Sequence, residues 1–144
     1  MSTSKNDLMK MSQVELDAVY KTSPVGAIPD GESQGTAIIF PDTPIKEGLS
    51  QLVQWLAWQG KIFYRERGTM VNKVTLFSIA AVEAKVYSGE SLLCPGEDAT
   101  ILDYSQSIFL AQPIRDEIRE VQPGLYLGNA YWDKIRVLNF ILEF

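Results

Sequence analysis

Residues 114–144 read IRDEIREVQPGLYLGNAYWDKIRVLNFILEF. Hydrophobic and polar residues alternate along most of this run, and two turn signals, Pro123-Gly124 and Asp133-Lys134, cut it in three. A period of two is the signature of β-strands, here Ile114–Val121, Leu125–Trp132 and Ile135–Phe144. In Gln122-Pro123-Gly124-Leu125 the proline fixes φ and the glycine supplies a positive φ. Asp133-Lys134 serves as a second two-residue turn. Residues directly opposite each other in an antiparallel pair share a face. Counting back from the turns puts Asp116 opposite Tyr131 and Tyr131 opposite Arg136. The following rows are Ile118, Asn129, Leu138, then Glu120, Leu127, Phe140, then Gln122, Leu125, Leu142. With Ile114 and Phe144 this is the more apolar face and the expected inner wall. The other face carries Arg115, Glu117 and Arg119 with Tyr126, Gly128, Ala130, Val137, Asn139 and Glu143. Its charges read as a solvated salt ladder in which each pair stabilises little. A one-residue slip in the Asp133-Lys134 turn would move Arg136 outside.

The same period runs upstream. Thr36–Phe40, Lys61–Arg67, Met70–Phe77, Ala81–Tyr87, Thr100–Tyr104 and Ser107–Gln112 read as strands, with turns at Arg67-Gly68 and Ser88-Gly89. Two stretches break the pattern. Ser12-Gln13-Val14-Glu15 has capping-box spacing and predicts a helix over Gln13–Lys21. Asp42 or Thr43, with Pro44 in the first turn, caps a second helix over Ile45–Trp58. Its Leu49, Leu52, Val53 and Leu56 fall at helical spacing, and Gly60 ends it. SPVGAIPDGESQG, rich in Pro and Gly, reads as loop. Many short strands with no helices between them predict a mainly β protein: a closed antiparallel barrel of about eight strands, with one or two N-terminal helices packed against it. Residues 1–11 read as a frayed, flexible terminus and 12–144 as a single barrel domain.

Composition narrows the chemistry. The net charge of -5 argues against a nucleic-acid partner, which needs clustered Lys and Arg. There is no apolar run long enough to span a membrane and no apolar segment in MSTSKNDLMKMSQ for a secretory leader, so the expected location is cytoplasmic. A count of 0 histidines removes Ser-His-Asp and Cys-His nucleophiles and the commonest transition-metal ligand. Cys94, the sole cysteine, reads as an incidental thiol in a turn. Glu90, Glu97 and Asp98 lack calcium-loop spacing, so no metal and no cofactor are expected. Glu120 is the one candidate for a second inward acid, at the far end of its strand, which leaves paired-carboxylate glycoside hydrolysis without support.

On this register Asp116, Tyr131 and Arg136 form a polar row on an apolar wall, with Asn129 one row away. They are the candidate catalytic residues. The row serves either as a satisfied network at a barrel rim or to orient the polar end of an apolar ligand. Leu102 and Tyr104 are placed inward together, and the small Ala84 leaves inner volume. The expected lining is Asn129, Tyr104, Leu102, Ile118, Leu127, Leu138, Phe140 and Trp58. Trp55 and Trp58 share a helical face and equally suit packing of that helix over the barrel.

Two segments carry a resemblance. Trp58-Gln59-Gly60-Lys61-Ile62-Phe63 looks like the W-x-G-K-x-F lead-in to the barrel of small lipocalin-like (calycin-type) domains, and IRDEIREVQPGLYLGNAYW with RVLNFILEF resembles their closing strands. Leu56 stands where G-x-W-x-G would have its first glycine. From Leu16 to Phe144 the chain is similar to a group of small proteins built on IPDGES-x-GTAI and RDEIREV-x-PGLYLG. The resemblance implies a barrel that binds hydrophobic small molecules. Some such barrels in natural-product pathways are cofactor-free cyclases or isomerases.

Three functions remain open at this point. The first is a cofactor-independent cyclase or isomerase of a polyene, terpenoid or polyketide intermediate, working by orientation and hydrogen-bond donation. The second is a carrier or sensor of a hydrophobic ligand. The third is an interaction module with a filled barrel. A homodimer through an exposed Tyr126 face is a further possibility.

Overall fold

In a computed structural model, which describes residues 3–38, 60–72 and 82–144, the C-terminal run forms three long strands. They are β7 (Ile114–Gln122), β8 (Leu125–Trp132) and β9 (Ile135–Glu143). Both turns form as the residues demand. Gly124 has φ 79°, and Asp133 and Lys134 have φ 47° and 71°, the pair of positive values that a tight hairpin matching strand twist requires. Upstream lie β1 (Gly31–Glu32), β2 (Gln34–Ile38), β3 (Lys61–Tyr64), β4 (Thr69–Asn72), β5 (Glu83–Glu90) and β6 (Asp98–Asp103). The sheet order is β1-β3-β4-β5-β6-β7-β8-β9-β2, antiparallel throughout.

The two ends of that order are consecutive in the chain, so the sheet returns on itself as a nearly closed barrel. Ser33 is the joint. Its N–H and hydroxyl donate to the Lys61 carbonyl at 2.8 and 2.7 Å, and its oxygen accepts from the Lys61 N–H at 3.0 Å. Closure satisfies edge groups that an open sheet would expose. Among the described residues the protein is therefore mainly β, a nearly closed nine-stranded antiparallel barrel with two helices. The IPDGESQG segment, read as loop, turns out to be this clasp.

Helix α2 (Gln13–Thr22) has the expected Ser12/Glu15 capping box. Within the expected flexible terminus, residues 3–11 are not simply frayed: Ser4 and Asp7 make a second capping box for α1 (Lys5–Met9), and Leu8 is fully buried. Ser107–Gln112 is not a strand. It is turn followed by a 3-10 segment, Phe109–Ala111, because β7 already pairs with β6 and no ladder position is left for it. β2 begins two residues earlier than expected. β3 ends at Tyr64 in a 3-10 turn, Arg65–Arg67, closed by Gly68 at φ 65°. The expected helix Ile45–Trp58, with Trp55 and Trp58, lies outside the described residues, as do Ile39–Phe40 and Lys73–Ala81.

The register departs from expectation by one residue on β7. Val121 is an extra residue: Gln122 faces Leu125, but Glu120 faces Tyr126. At the bulge the Glu120 N–H donates to the Pro24 carbonyl at 3.2 Å, and the Glu120 carboxylate turns back to the Gly124 N–H at 3.3 Å. The loop at Gly26 lies directly on this spot, where an added Cβ would stand 2.4 Å from that of Glu120. Such a β-bulge reverses the face of every residue beyond it. Asp116 therefore faces Ala130, Ile118 faces Gly128, and Tyr131 lies opposite Arg115. A second bulge at Val137 keeps Tyr131 opposite Arg136 but sets Asn129 opposite Asn139 and Leu127 opposite Ile141.

Two cores follow. Inside the barrel are Phe63, Met70, Ala84, Leu102, Tyr104, Ile118, Tyr126, Ala130, Leu138, Phe140 and Leu142. Outside it, α1, α2 and the 91–97 loop cover Ile101, Leu125, Leu127 and Ile141 with Leu8, Leu16, Tyr20 and Cys94. Tyr126 is thus buried, its hydroxyl donating to the Ala27 carbonyl at 2.7 Å, and gives no basis for a dimer face.

Candidate functional site

Among the described residues, Lys61, Asn72, Tyr104 and Asp116, each at most 4% exposed, form one polar cluster in the barrel interior. Strand alternation brings them there. Lys61 points the same way as Phe63 on β3, Asn72 the same way as Met70 on β4. Tyr104 continues the Leu102 face of β6, and Asp116 stands between Leu102 and Ala130 on its neighbouring strands. All four lie towards the end of the barrel where β3 and β7 begin and β4 and β6 finish.

The Lys61 Nζ donates to Asn72 Oδ1 at 2.6 Å and to the Tyr104 hydroxyl at 3.0 Å, and pairs with Asp116 Oδ2 at 3.5 Å. The Tyr104 hydroxyl also accepts from Asn72 Nδ2 at 3.0 Å and donates to Asp116 Oδ2 at 3.3 Å. One oxygen therefore links the ammonium, the amide and the carboxylate. Asn72 Nδ2 makes its second bond to the Val82 carbonyl at 3.2 Å. The Lys61 ammonium also lies 5.5 Å from the centroid of the Phe140 ring and 5.7 Å from that of Tyr104, in reach of both π faces. Among the described residues, Asp116 Oδ1 accepts no hydrogen bond, and the carboxylate side chain retains 5% exposure.

Burial dominates the electrostatics. It pushes the Lys61 ammonium below its ordinary 10.5, opposed by Asp116. It raises the Asp116 carboxyl above 3.8, opposed by Lys61 and Tyr104. Both shifts run towards the neutral forms, and in each the partner's charge works against them. Burial likewise raises Tyr104 well above 10, which keeps its hydroxyl a donor.

The expected row of Asp116, Tyr131 and Arg136 is not one row. Asp116 is inside the wall, and Tyr131, Arg136 and Asn129 are outside it, because of the Val121 bulge. Leu127 is outside too, under the helices. Tyr104, Leu102, Ile118, Leu138 and Phe140 are inside, as expected, and Trp58 lies outside the described residues. Lys61 and Asn72 were missed. The signal for Lys61 was available: it stands two residues from Phe63 on the same strand, so period two sends both inward.

The outer residues do structural work. Arg136 grips Asp17 of α2 through two bonds of 2.7 and 3.0 Å, and Asn129, Asn139 and Gln13 continue that network. Glu117 and Arg119 are not solvated. Glu117, fully buried, accepts from the Ser91 hydroxyl and the Leu92 and Leu93 N–H groups of the 91–97 loop, and from Asn129 and Tyr131. Arg119 donates to the Tyr20 and Lys21 carbonyls at the end of α2 and to Asp98.

No family model matches the chain, and no curated protein matches it. Among solved structures it is similar to a crystal structure of a protein from Thermomonospora curvata, with TM-score 0.60 and 19% identity, over 92% of this chain and 87% of that one. At that identity the likeness bears on the fold alone. Among the described residues no helix is long and apolar enough to cross a membrane.

Proposed function

We propose that the barrel receives a hydrophobic small molecule whose carbonyl or hydroxyl end meets Lys61, Tyr104 and Asp116, and that it isomerises or cyclises that molecule without a cofactor. The observation that carries this reading is the buried Lys61–Tyr104–Asp116 relay, braced by Asn72, on a largely apolar inner wall. Apolar walls with a few convergent polar groups are the usual construction of a small-molecule site. A core made only for stability gains little from a buried ion pair, since apolar replacements of similar volume are often as stable. Thr100 adds weight: its hydroxyl faces the same interior, is buried, and has no hydrogen-bond partner among the described residues. It lies roughly 13 Å along the strand from Tyr104 at ~3.3 Å per residue. A bound molecule with a second polar group would satisfy it.

The chemistry is proton transfer beside a carbonyl. The ammonium of Lys61 and the hydroxyl of Tyr104 polarise the carbonyl oxygen. Asp116, as carboxylate, takes a proton from the adjacent carbon and returns it elsewhere on the conjugated system. A barrel that only carries the molecule binds it and returns it unchanged. A barrel filled solid is the other reading, favoured by the full hydrogen-bonding of the Tyr104 hydroxyl. The test is to offer a hydrophobic β,γ-unsaturated ketone and follow formation of the conjugated enone by absorbance. Tyr104→Phe and Asp116→Asn should suppress turnover, and Arg136→Ala should not. Binding without turnover points to a carrier. Neither binding nor turnover, for this ketone and for geraniol, refutes the reading.

A further inference from the structure

We propose that Lys61 is a covalent site for hydrophobic aldehydes and ketones: its amine condenses with the carbonyl carbon, and Asp116 is the counter-ion of the iminium formed. This rests on the small-molecule reading above and names its substrate class as carbonyl compounds. The geometry carries it. Lys61 Nζ is fixed by Asn72 Oδ1 and the Tyr104 hydroxyl, at 2.6 and 3.0 Å, so its position inside the barrel is set before a ligand arrives. Asp116 Oδ2 stands 3.5 Å away, a distance that suits pairing with a positive nitrogen after the carbon is attached. The Tyr104 hydroxyl bridges the two and supplies a path for protons between nitrogen, departing oxygen and carboxyl.

Separately, burial favours the free amine of Lys61, which is the nucleophilic form. The step balances from the neutral pair. The nitrogen lone pair attacks the carbonyl carbon, and the oxygen takes a proton to give a carbinolamine. Loss of that hydroxyl as water forms the C=N bond. In sum, the Asp116 carboxylic acid, the Lys61 amine and the aldehyde give the Asp116 carboxylate, the Lys61 iminium and one water. An apolar surround slows the reverse hydrolysis. The iminium withdraws electrons more strongly than a hydrogen-bonded carbonyl, so proton transfer at the neighbouring carbon becomes easier.

The test uses the full chain with citral, followed by borohydride reduction and peptide mapping by mass spectrometry. The expected result is an adduct on Lys61 in preference to the exposed Lys10, Lys21, Lys85 and Lys134. Lys61→Arg should show none at that position, and Asp116→Asn should lower the trapped fraction about tenfold or more. The mapping on the unaltered chain stands even if a variant fails to fold. Geraniol, the corresponding alcohol, forms no imine and separates the two readings. If geraniol binds but citral leaves Lys61 unmodified, or marks only the exposed lysines, covalent capture is overturned and the binding reading stands. If geraniol neither binds nor competes and citral leaves no Lys61 adduct, both fall.

Discussion

Removing one partner of the Lys61–Asp116 pair should destabilise the barrel far more than removing both. Lys61 is fully buried and the Asp116 side chain is 5% exposed, so neither stranded charge could turn to solvent. Breaking a buried pair from one side costs about 3–5 kcal/mol, whereas replacing both members by apolar side chains is often neutral or better. Lys61→Met and Asp116→Leu should therefore each cost about that much. The double variant should lie within roughly 2 kcal/mol of the parent, the residue being the lost donor to Asn72. The interaction energy is then at least about 4 kcal/mol, well above the ~0.5 kcal/mol within which independent sites add. Urea unfolding followed by tryptophan fluorescence measures all four corners of the cycle. The pH dependence has a definite sign. Asp116 has a folded value raised above 3.8, more so once Lys61 is gone. The folded state then binds more protons than the unfolded one across that window. Stability of Lys61→Met is thus fully present below 3.8 and is lost as pH rises through the folded value. Single variants that cost under about 1 kcal/mol, or effects that simply add, would mean that water reaches the pair and would refute the buried-relay argument.

Three further outcomes follow from the same geometry. Gly60→Ala should cost about 2–5 kcal/mol, because a left-handed backbone and a contact with backbone both oppose it. Gly60 has φ 75°, and a Cβ there would meet the Ser33 carbonyl oxygen at 2.5 Å. Hydrogen exchange should show the loss at the clasp, β1 and β2. Gly128→Ala should cost about 1–3 kcal/mol by overpacking, since its Cβ would lie 2.3 Å from the Phe140 ring. Adding Phe140→Leu should recover part of that loss, which a thermal melt would read. Arg136→Ala and Tyr131→Phe should each lower stability by roughly 1 kcal/mol, the first by freeing Asp17 of α2. Neither should change ligand affinity in a titration, because both side chains lie outside the wall.

The strand periods and the two tight turns carried most of the fold. Alternation and the two turns in 114–144 were enough to place β7, β8 and β9, and the succession of short strands upstream predicted closure. The face assignment failed on β8 for a physical reason. Both faces of that strand are largely apolar: Leu125 and Leu127 on one, Tyr126, Gly128 and Ala130 on the other. Patterning therefore could not choose between them, and one extra residue at Val121 decided it. Beside the bulge the Glu120 N–H bonds to the Pro24 carbonyl, a partner distant in sequence and invisible to local pattern. Glu117 and Arg119 looked solvated for a separate reason: they are on the outer face as expected, but the helix and loop that bury them come from the 13–22 and 91–97 segments. Of the site, Asp116 and Tyr104 were legible as inward groups. Lys61 does not stand out in the sequence because a lysine at a strand start reads as surface, although its spacing from Phe63 points inward.

The central claim is that a hydrophobic small molecule sits inside the barrel against Lys61, Tyr104 and Asp116. Intermolecular NOEs between geraniol and the isotope-labelled protein measure this most directly. The account predicts contacts from the ligand to Leu102, Tyr104, Ile118 and Phe140. Contacts confined to Leu127, Ile101 and Ile141 on the outer face, or none while the barrel stays folded, would contradict it.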